Sequence, residues 1–353
     1  MDPSRRPRLT PAIADVRRAV RAALPESGLV LVALSGGPDS LALAGATAFE
    51  AARANIRAGA VIVDHGVQRG SADVAARAAE QARMLGLDPV VVRRVAVGTE
   101  GGPEAAARSA RYVALDSVAA DEGAALILLG HTLDDQAETV LLGLARGSGA
   151  TSLHGMSPST SSGTGLTSSG TGPTSSGTGL TSSGTGLTYA RPLLGIRRAT
   201  TVQFCVDSGL EPWTDPQNSD EAFARVRVRT TVLPLLEREL GPGVAEALAR
   251  TAEQLREDSD ALDHFAEEIA EELADLAESG ISLPVRALAT NPAALRQRLI
   301  RLAVESEFHV SLSRAQTLEV ARLVTHWHGQ KALDLPGVRV ERQGGLLIFT
   351  ATK

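Results

Sequence analysis

The stretch Leu29-Val30-Leu31-Val32-Ala33-Leu34-Ser35-Gly36-Gly37-Pro38-Asp39-Ser40 decides the fold. Six apolar residues without a break suit a strand buried on both faces. The run stops at Gly36-Gly37, and Pro38 then sits where a helix tolerates proline, in its first turn. Residues 40–54 are alanine-rich and of helical length. A strand, a tight turn and a helix N-terminus together make an anion site: the Gly-Gly turn frees backbone N–H groups, and the helix end adds partial positive charge. Ser35, Gly36, Gly37, Asp39 and Ser40 are therefore the candidate phosphate-binding residues. The stretch has neither the lysine of GxxxxGK[ST] nor the spacing of GxGxxG, so it is neither the ordinary P-loop nor the dinucleotide fingerprint.

The same alternation continues outward. Apolar runs at 58–64, 89–95 and 125–129 alternate with helix-length segments at 71–85 and 103–121. This predicts an α/β fold, a parallel sheet with helices on both faces, whose ligands bind at the carboxyl ends of the strands. Residues 160–187 then interrupt with four tandem heptads, TSSGTGL, TSSGTGP, TSSGTGL and TSSGTGL, and 27 of the 32 residues from 157 to 188 are Ser, Thr or Gly. Such a segment lacks the apolar surface to pack a core and is expected as a disordered insert. Beyond it, 197–208, 222–240 and 244–278 read as helices. Further helices follow at 292–306 and 314–326, and short strands at 332–335, 339–341 and 346–350. The expected organisation is an N-terminal helix in 1–27, a catalytic domain in 28–240 carrying the insert at 157–188, and a mainly helical second domain in 241–353 ending in short strands. A length of 353 residues suits two or three domains at about 150 residues each.

Charge and composition exclude several functions. The net charge is −6, but residues 241–280 hold twelve Asp or Glu against Arg250 and Arg256, which leaves the rest of the chain net positive. Lys331 and Lys353 are the only lysines, so the basic charge is almost entirely arginine. Cys205 stands alone, which rules out an intramolecular disulfide, a CxxC redox pair and a cysteine-based zinc site. No run approaches the ~18 apolar residues of a membrane helix. Residues 1–24 carry six arginines and no apolar core, so no secretory signal is read and a cytoplasmic location is expected.

A second cluster, Gly130-His131-Thr132-Leu133-Asp134-Asp135-Gln136-Ala137-Glu138-Thr139, follows the fourth apolar run, and Asp64-His65-Gly66 ends the second. If a helix starts near Asp134, Asp135 and Glu138 stand at i and i+3 and share one face. They also lie at the helix end that favours negative charge. Acidic residues there serve as simple caps too, so this segment alone leaves both readings open. His264, His309, His326 and His328 lack ligand spacing, and Trp213 and Trp327 read as packing residues. Arg296, Arg298 and Arg301, within two turns, are candidate phosphate contacts.

Ser35 to Ser40 resembles the SGGxDS signature of the PP-loop ATP pyrophosphatases, enzymes that cleave ATP to AMP and pyrophosphate. Within that family the resemblance narrows. GHTLDDQAETVLLGLARGSG at 130–149, Ala107-Arg108-Ser109-Ala110-Arg111-Tyr112, Val63-Asp64-His65-Gly66, Arg191-Pro192-Leu193, and Asp215-Pro216 with Asn218, Phe223, Arg225 and Arg229 together resemble the tRNA(Ile)-lysidine synthetases. The likeness spans about residues 28–240. Val226 stands where many relatives show asparagine, the repeat matches nothing in the pattern, and the C-terminal part resembles the family's first helical domain loosely.

The resemblance implies an ATP-dependent carbon–nitrogen ligase acting in two steps on an isoleucine tRNA with a CAU anticodon. ATP adenylates the wobble cytidine, and the side-chain amine of L-lysine then attacks C2, forming lysidine, releasing AMP and switching codon reading from AUG to AUA. ATP and Mg²⁺ are the implied cofactors, with the cradle on the phosphates and Asp39 helping to place the ion. Arg111 is implied for the α-phosphate or the activated base, and His131 for steadying the adenylated intermediate. Asp135 and Glu138 are implied for the lysine ammonium. The tRNA and lysine are the implied partners, no membrane is involved, and a homodimer is an assembly the sequence permits. The alternative enzyme is another PP-loop synthetase that adenylates a small molecule. A non-enzymatic ATP-sensing domain would not need the paired carboxylates.

Overall fold

The computed structural model describes residues 9–66, 70–98, 102–147, 150–161, 186–273, 275–277 and 280–352. Residues 162–185 of the repeat and Ser148-Gly149, which close the 130–149 stretch, lie outside these. Contacts divide the chain into two compact units, residues 1–256 and 257–353.

In the first unit, α1 (Pro11–Ala23) precedes β1 (Leu29–Ala33), α2 (Pro38–Ala54), β2 (Arg57–Asp64), α3 (Ser71–Met84), β3 (Val90–Arg94), α4 (Pro103–Glu122) and β4 (Leu126–Leu128). Next come α5 (Leu133–Ala145), α6 (Ala150–Leu153), β5 (Ser159–Ser161), β6 (Thr188–Ala190) and α7 (Arg198–Ser208). The strands form one sheet in the order β3-β2-β1-β4-β6-β5, parallel except for the β5–β6 pair. Successive β1 side chains alternate between two cores. Val30 and Val32 join residues of α1, α2, α3 and α7, whereas Leu29 and Leu31 pack with Tyr112, Leu115 and Val118 of α4. The four anticipated parallel strands and their helices are therefore in place, with both faces covered.

The short β5 and β6 were not anticipated, because Ser-Thr-Ser and Thr-Tyr-Ala have little strand pattern of their own. Tertiary packing holds them: Tyr189 lies edge-on to Tyr112 at 5.1 Å between ring centroids, and its hydroxyl donates to Asp116 Oδ1 at 2.6 Å. Residues 159–161 and 188 thus belong to the sheet rather than to the insert. The segment expected as one helix over 222–240 is broken into α8 (Ala224–Arg227), a π-helical turn (Val228–Val232) and α9 (Leu233–Leu240). Pro234 is the cause: it has no N–H for the carbonyl four residues back, and the widened turn relieves its clash with that carbonyl.

The long acidic helix, α10 (Val244–Leu273), crosses the division between the units. It stops five residues short of the expected end, because β7 (Asp275–Ala277) leaves the helix to pair antiparallel with β8 (Gly280–Pro284). The second unit continues with α11 (Val285–Thr290), α12 (Ala293–Phe308), α13 (Arg314–Thr325), β9 (Leu333–Leu335), β10 (Val338–Gln343) and β11 (Leu346–Ala351). The terminal strands combine with β7 and β8 into an antiparallel sheet, β7-β8-β11-β10-β9. Leu299, Ile300 and Val304 of α12 and Val320 of α13 pack against Val338, Val340, Leu347 and Phe349.

Candidate active site

The sheet order places a switch point between β1 and β4, where the chain leaves in opposite directions along the sheet, and a crevice forms there at the strand ends. The Ser35–Ser40 turn leaves β1 on one side of it. Gly36 has φ +86°, a left-handed conformation that glycine adopts without strain. The Ser40 hydroxyl donates to Gly37 O at 3.0 Å and accepts from Ser35 N at 3.1 Å, so the turn is held from within. No side chain caps the N-terminus of α2. Its first N–H groups are thus available to an anion, while Trp213 N braces the turn from behind by donating to Gly36 O at 2.9 Å. Cys205 lies buried below, its thiol 3.5 Å from Pro38 O and pushed up to about 12 by burial and by Asp39, hence unreactive.

The β4–α5 segment forms the other wall. Gly130 approaches the turn so closely that a Cβ there would lie 3.1 Å from Ser40 N. α5 begins with a capping box: Asp135 N donates to the Thr132 hydroxyl at 3.4 Å, and Thr132 N donates to Asp135 Oδ2 at 2.8 Å. Capping therefore uses one Asp135 oxygen and leaves Oδ1 facing the crevice. The capping reading of the acidic run is thus observed at Asp135.

Sequence reasoning missed the residue at the centre of the crevice. Arg198 donates from Nε to Asp39 Oδ2 at 3.2 Å, from Nη2 to Asp135 Oδ1 at 2.8 Å, and from Nη1 to Glu138 Oε1 at 3.2 Å. Its backbone N–H donates to Asp134 Oδ2 at 2.7 Å, and Arg197 Nη1 lies 3.5 Å from Asp134 Oδ1. A signal was present in the sequence. An arginine in the first turn of a helix opposes the helix dipole, and such a cation implies carboxylate partners. Thr201, one turn on, donates its hydroxyl to Asp39 Oδ1.

Glu138 is fully buried, at 0% side-chain exposure, beneath three guanidiniums. Arg225 Nε reaches Oε2 at 2.9 Å, and Arg229 Nε reaches Oε1 at 2.8 Å, in addition to Arg198. The expectation that Glu138 offers itself to an incoming ammonium does not match this arrangement, because its charge is already spent on arginines from α7, α8 and the π-helical turn. Asp135 has fewer such partners at Oδ1, Arg198 Nη2 at 2.8 Å and Arg229 Nη2 at 3.7 Å. Burial alone would raise its pKa, but the Arg198 and Arg225 charges and the Thr132 N–H bring it down to about 2, so it is a firm anion. Asp39 shifts the other way: burial raises it, and the Thr201 and Arg198 contacts only partly oppose this.

Arg111, His65 and His131 end in the same polar region. The Nδ1 atoms of both histidines and the Arg111 Nε are buried without a hydrogen-bond partner among the described residues. Burial, then the Arg111 charge, holds His65 below the usual histidine range. Burial holds His131 well below it, with Asp135 opposing. Both rings are neutral at pH 7. Two of the three arginines read as candidate phosphate contacts are engaged within the second unit: Arg298 Nε donates to Asp263 Oδ1 at 2.6 Å, and Arg296 Nη1 to Leu288 O at 3.3 Å. Trp327 faces the Arg342 guanidinium at 5.1 Å and remains partly exposed.

An anion cradle and a carboxylate–arginine cluster across one switch point define a PP-loop protein, and a family model described as a PP-loop domain matches residues 12–236. A second, described as the TilS substrate binding domain, matches residues 283–347. The tRNA(Ile)-lysidine synthase of Leifsonia xyli subsp. xyli is 61% identical over 327 residues, which are 92% of this chain and 91% of that one. The tRNA(Ile)-lysidine synthase of Thermobifida fusca is 48% identical over 347 residues, 97% of this chain and 98% of that one. The chain belongs to the tRNA(Ile)-lysidine synthase family. In fold it is also similar to the U34-tRNA thiolase NcsA from Methanococcus maripaludis, with a TM-score of 0.52 at 20% identity over 70% of this chain and 80% of that one.

Proposed function

We propose that this chain is an ATP-dependent carbon–nitrogen ligase that forms lysidine on an isoleucine tRNA with a CAU anticodon. ATP is split to AMP and pyrophosphate as the wobble cytidine is adenylated, and the ε-amine of L-lysine then displaces AMP at C2. One observation carries the reading: an open, uncapped anion cradle and a firm carboxylate, Asp135, face each other across one crevice in a member of this family. The cradle residues Ser35, Gly36, Gly37 and Ser40 hold the phosphates. Asp39 supplies hard carboxylate oxygens beside them, which suits Mg²⁺, an ion that binds through one or two carboxylates plus substrate phosphates. When bound, the ion neutralises charge on the departing pyrophosphate.

Asp135 Oδ1 receives the lysine ammonium. Glu138 acts one layer back, holding Arg225 and Arg229 in place beside the adenylated base. Arg111 takes the α-phosphate or the activated base, and neutral His131 steadies the adenylated intermediate next to Asp135. Among the described residues no helix is long and apolar enough to cross a membrane; a tRNA substrate supports a cytoplasmic reaction.

The test is pyrophosphate release with unmodified isoleucine tRNA and lysine, each omitted in turn. Release should require the tRNA and not lysine. Asp39→Ala should lower release by at least about 100-fold with unchanged circular dichroism, in line with the loss of one electrostatic contact to developing charge. Release that needs only a small-molecule acceptor would replace this reading with a different PP-loop synthetase.

A further inference from the structure

The cluster around Arg198 balances in charge, and this carries a consequence for lysine. Three carboxylates, Asp39, Asp135 and Glu138, meet three guanidiniums, Arg198, Arg225 and Arg229. Arg225 serves Glu138, and Arg229 serves Glu138 while its Nη2 stands 3.7 Å from Asp135 Oδ1. Among the described residues Arg198 alone reaches all three carboxylates, and it donates at 2.8 Å to the one Asp135 oxygen that the helix cap leaves open. Remove Arg198 from the cluster and three carboxylates face two guanidiniums, Arg225 and the more distant Arg229, which leaves one net negative charge. A lysine side chain brings one positive charge.

We propose that Arg198 is a built-in stand-in for the lysine ammonium: it closes the amine subsite of the empty enzyme, and phosphate groups arriving in the cradle draw it away. The inference rests on the reading of Asp135 as the amine-binding carboxylate. The geometry suits a switch, because Arg198 reaches the cradle and the subsite from one guanidinium, its Nε on Asp39 of the α2 N-terminus and its Nη2 on Asp135 of α5. A polyphosphate at the cradle offers that guanidinium a bidentate anionic partner, for which arginine is well suited. The subsite then carries its uncompensated negative charge only once nucleotide is present. Lysine thereby enters after ATP, and an amine does not occupy the site before nucleotide is bound. Arg198 itself is no competing nucleophile, since its guanidinium stays protonated. It is a positioning residue that governs when the amine binds.

The experiment measures L-lysine binding by titration calorimetry on the full chain without tRNA. In the unaltered protein, lysine should bind at least about tenfold more tightly with the non-cleavable analogue α,β-methylene-ATP than without nucleotide, the weight of one charge-assisted hydrogen bond. Arg198→Gln should bind lysine at least about tenfold more tightly than the unaltered protein in the absence of nucleotide, and should lose the dependence on the analogue. Arg198→Lys, which retains the cation, should keep the weak binding. A purely structural arginine would give the opposite sign, weaker binding in Arg198→Gln. Equal lysine affinity with and without the analogue in the unaltered protein overturns the proposal, even if Arg198→Gln fails to fold. So does lysidine formation without any nucleotide-dependent gain in lysine binding. Absence of lysidine formation with tRNA, ATP and lysine all present would instead remove the functional reading on which it rests.

Discussion

The two walls of the crevice are built in different ways. The cradle from Ser35 to Ser40 consists of backbone: a glycine at φ +86°, serine hydroxyls that lock the turn, and the free end of α2. Its ligand-binding power comes from six consecutive residues and needs little from elsewhere. The facing cluster consists of side chains. Its carboxylates and guanidiniums come from positions 39, 135, 138, 198, 225 and 229, and none of them has its function without the others. A backbone site is robust to distant change and easily disturbed by a local one. A side-chain network transmits any single loss to every member, because each buried charge depends on its partners.

The largest effect should follow from Glu138→Gln, which leaves three guanidiniums sharing one neutral amide. Breaking a buried ion network by removing one partner typically costs ~3–5 kcal/mol. The lower end applies here, since Arg198, Arg225 and Arg229 are about a fifth to a third exposed. Urea denaturation should show the loss, and tRNA adenylation and lysine transfer should fall together. Loss of lysine transfer alone, with stability intact, would return Glu138 to the amine and undo the division between the walls.

A smaller effect, with a pH signature, should follow from Asp135→Asn. The Asp135 pKa lies below its ordinary value, so the stability it contributes is present above about pH 4 and is lost as pH falls through about 2. A shift from 3.8 to about 2 corresponds to roughly 2 kcal/mol. The stability difference between the variant and the unaltered protein should therefore be full at pH 6 and shrink steadily below pH 4. A difference independent of pH would mean that Asp135 acts through its capping hydrogen bonds rather than its charge.

The smallest effect should follow from Gly36→Ala. A Cβ at Gly36 would lie 3.5 Å from the Ala78 Cβ, an ordinary contact, so the cost is confined to the left-handed backbone, about 1–2 kcal/mol. The melting temperature should fall slightly while nucleotide binding weakens. Lysine binding to the nucleotide-free chain should not change. A change there would show that the two walls are coupled through the backbone as well as through Arg198.

The C-terminal unit shows the limits of reading patterns. Helices α12 and α13 were legible from their periodicity, yet the long acidic helix was expected to run to 278. Asp275–Ala277 left it because a partner strand, β8, offered ladder hydrogen bonds, and that competition is invisible in the helical pattern of the segment itself. The same holds for β5 and β6, whose place in the sheet depends on Tyr189 meeting Tyr112.

By itself the sequence determined the alternating strands and helices, the parallel sheet they imply and the cradle, because each rests on contiguous residues whose periodicity and turn chemistry act locally. It also supplied the acidic pair at 135 and 138, through their spacing on one helix face. Only the tertiary structure decided what those acids do. Arg198 lies 60 residues from Glu138 and 159 from Asp39, and nothing in local chemistry reports which charges will be buried together. Burial makes their pairing obligatory, and the fold chose the partners.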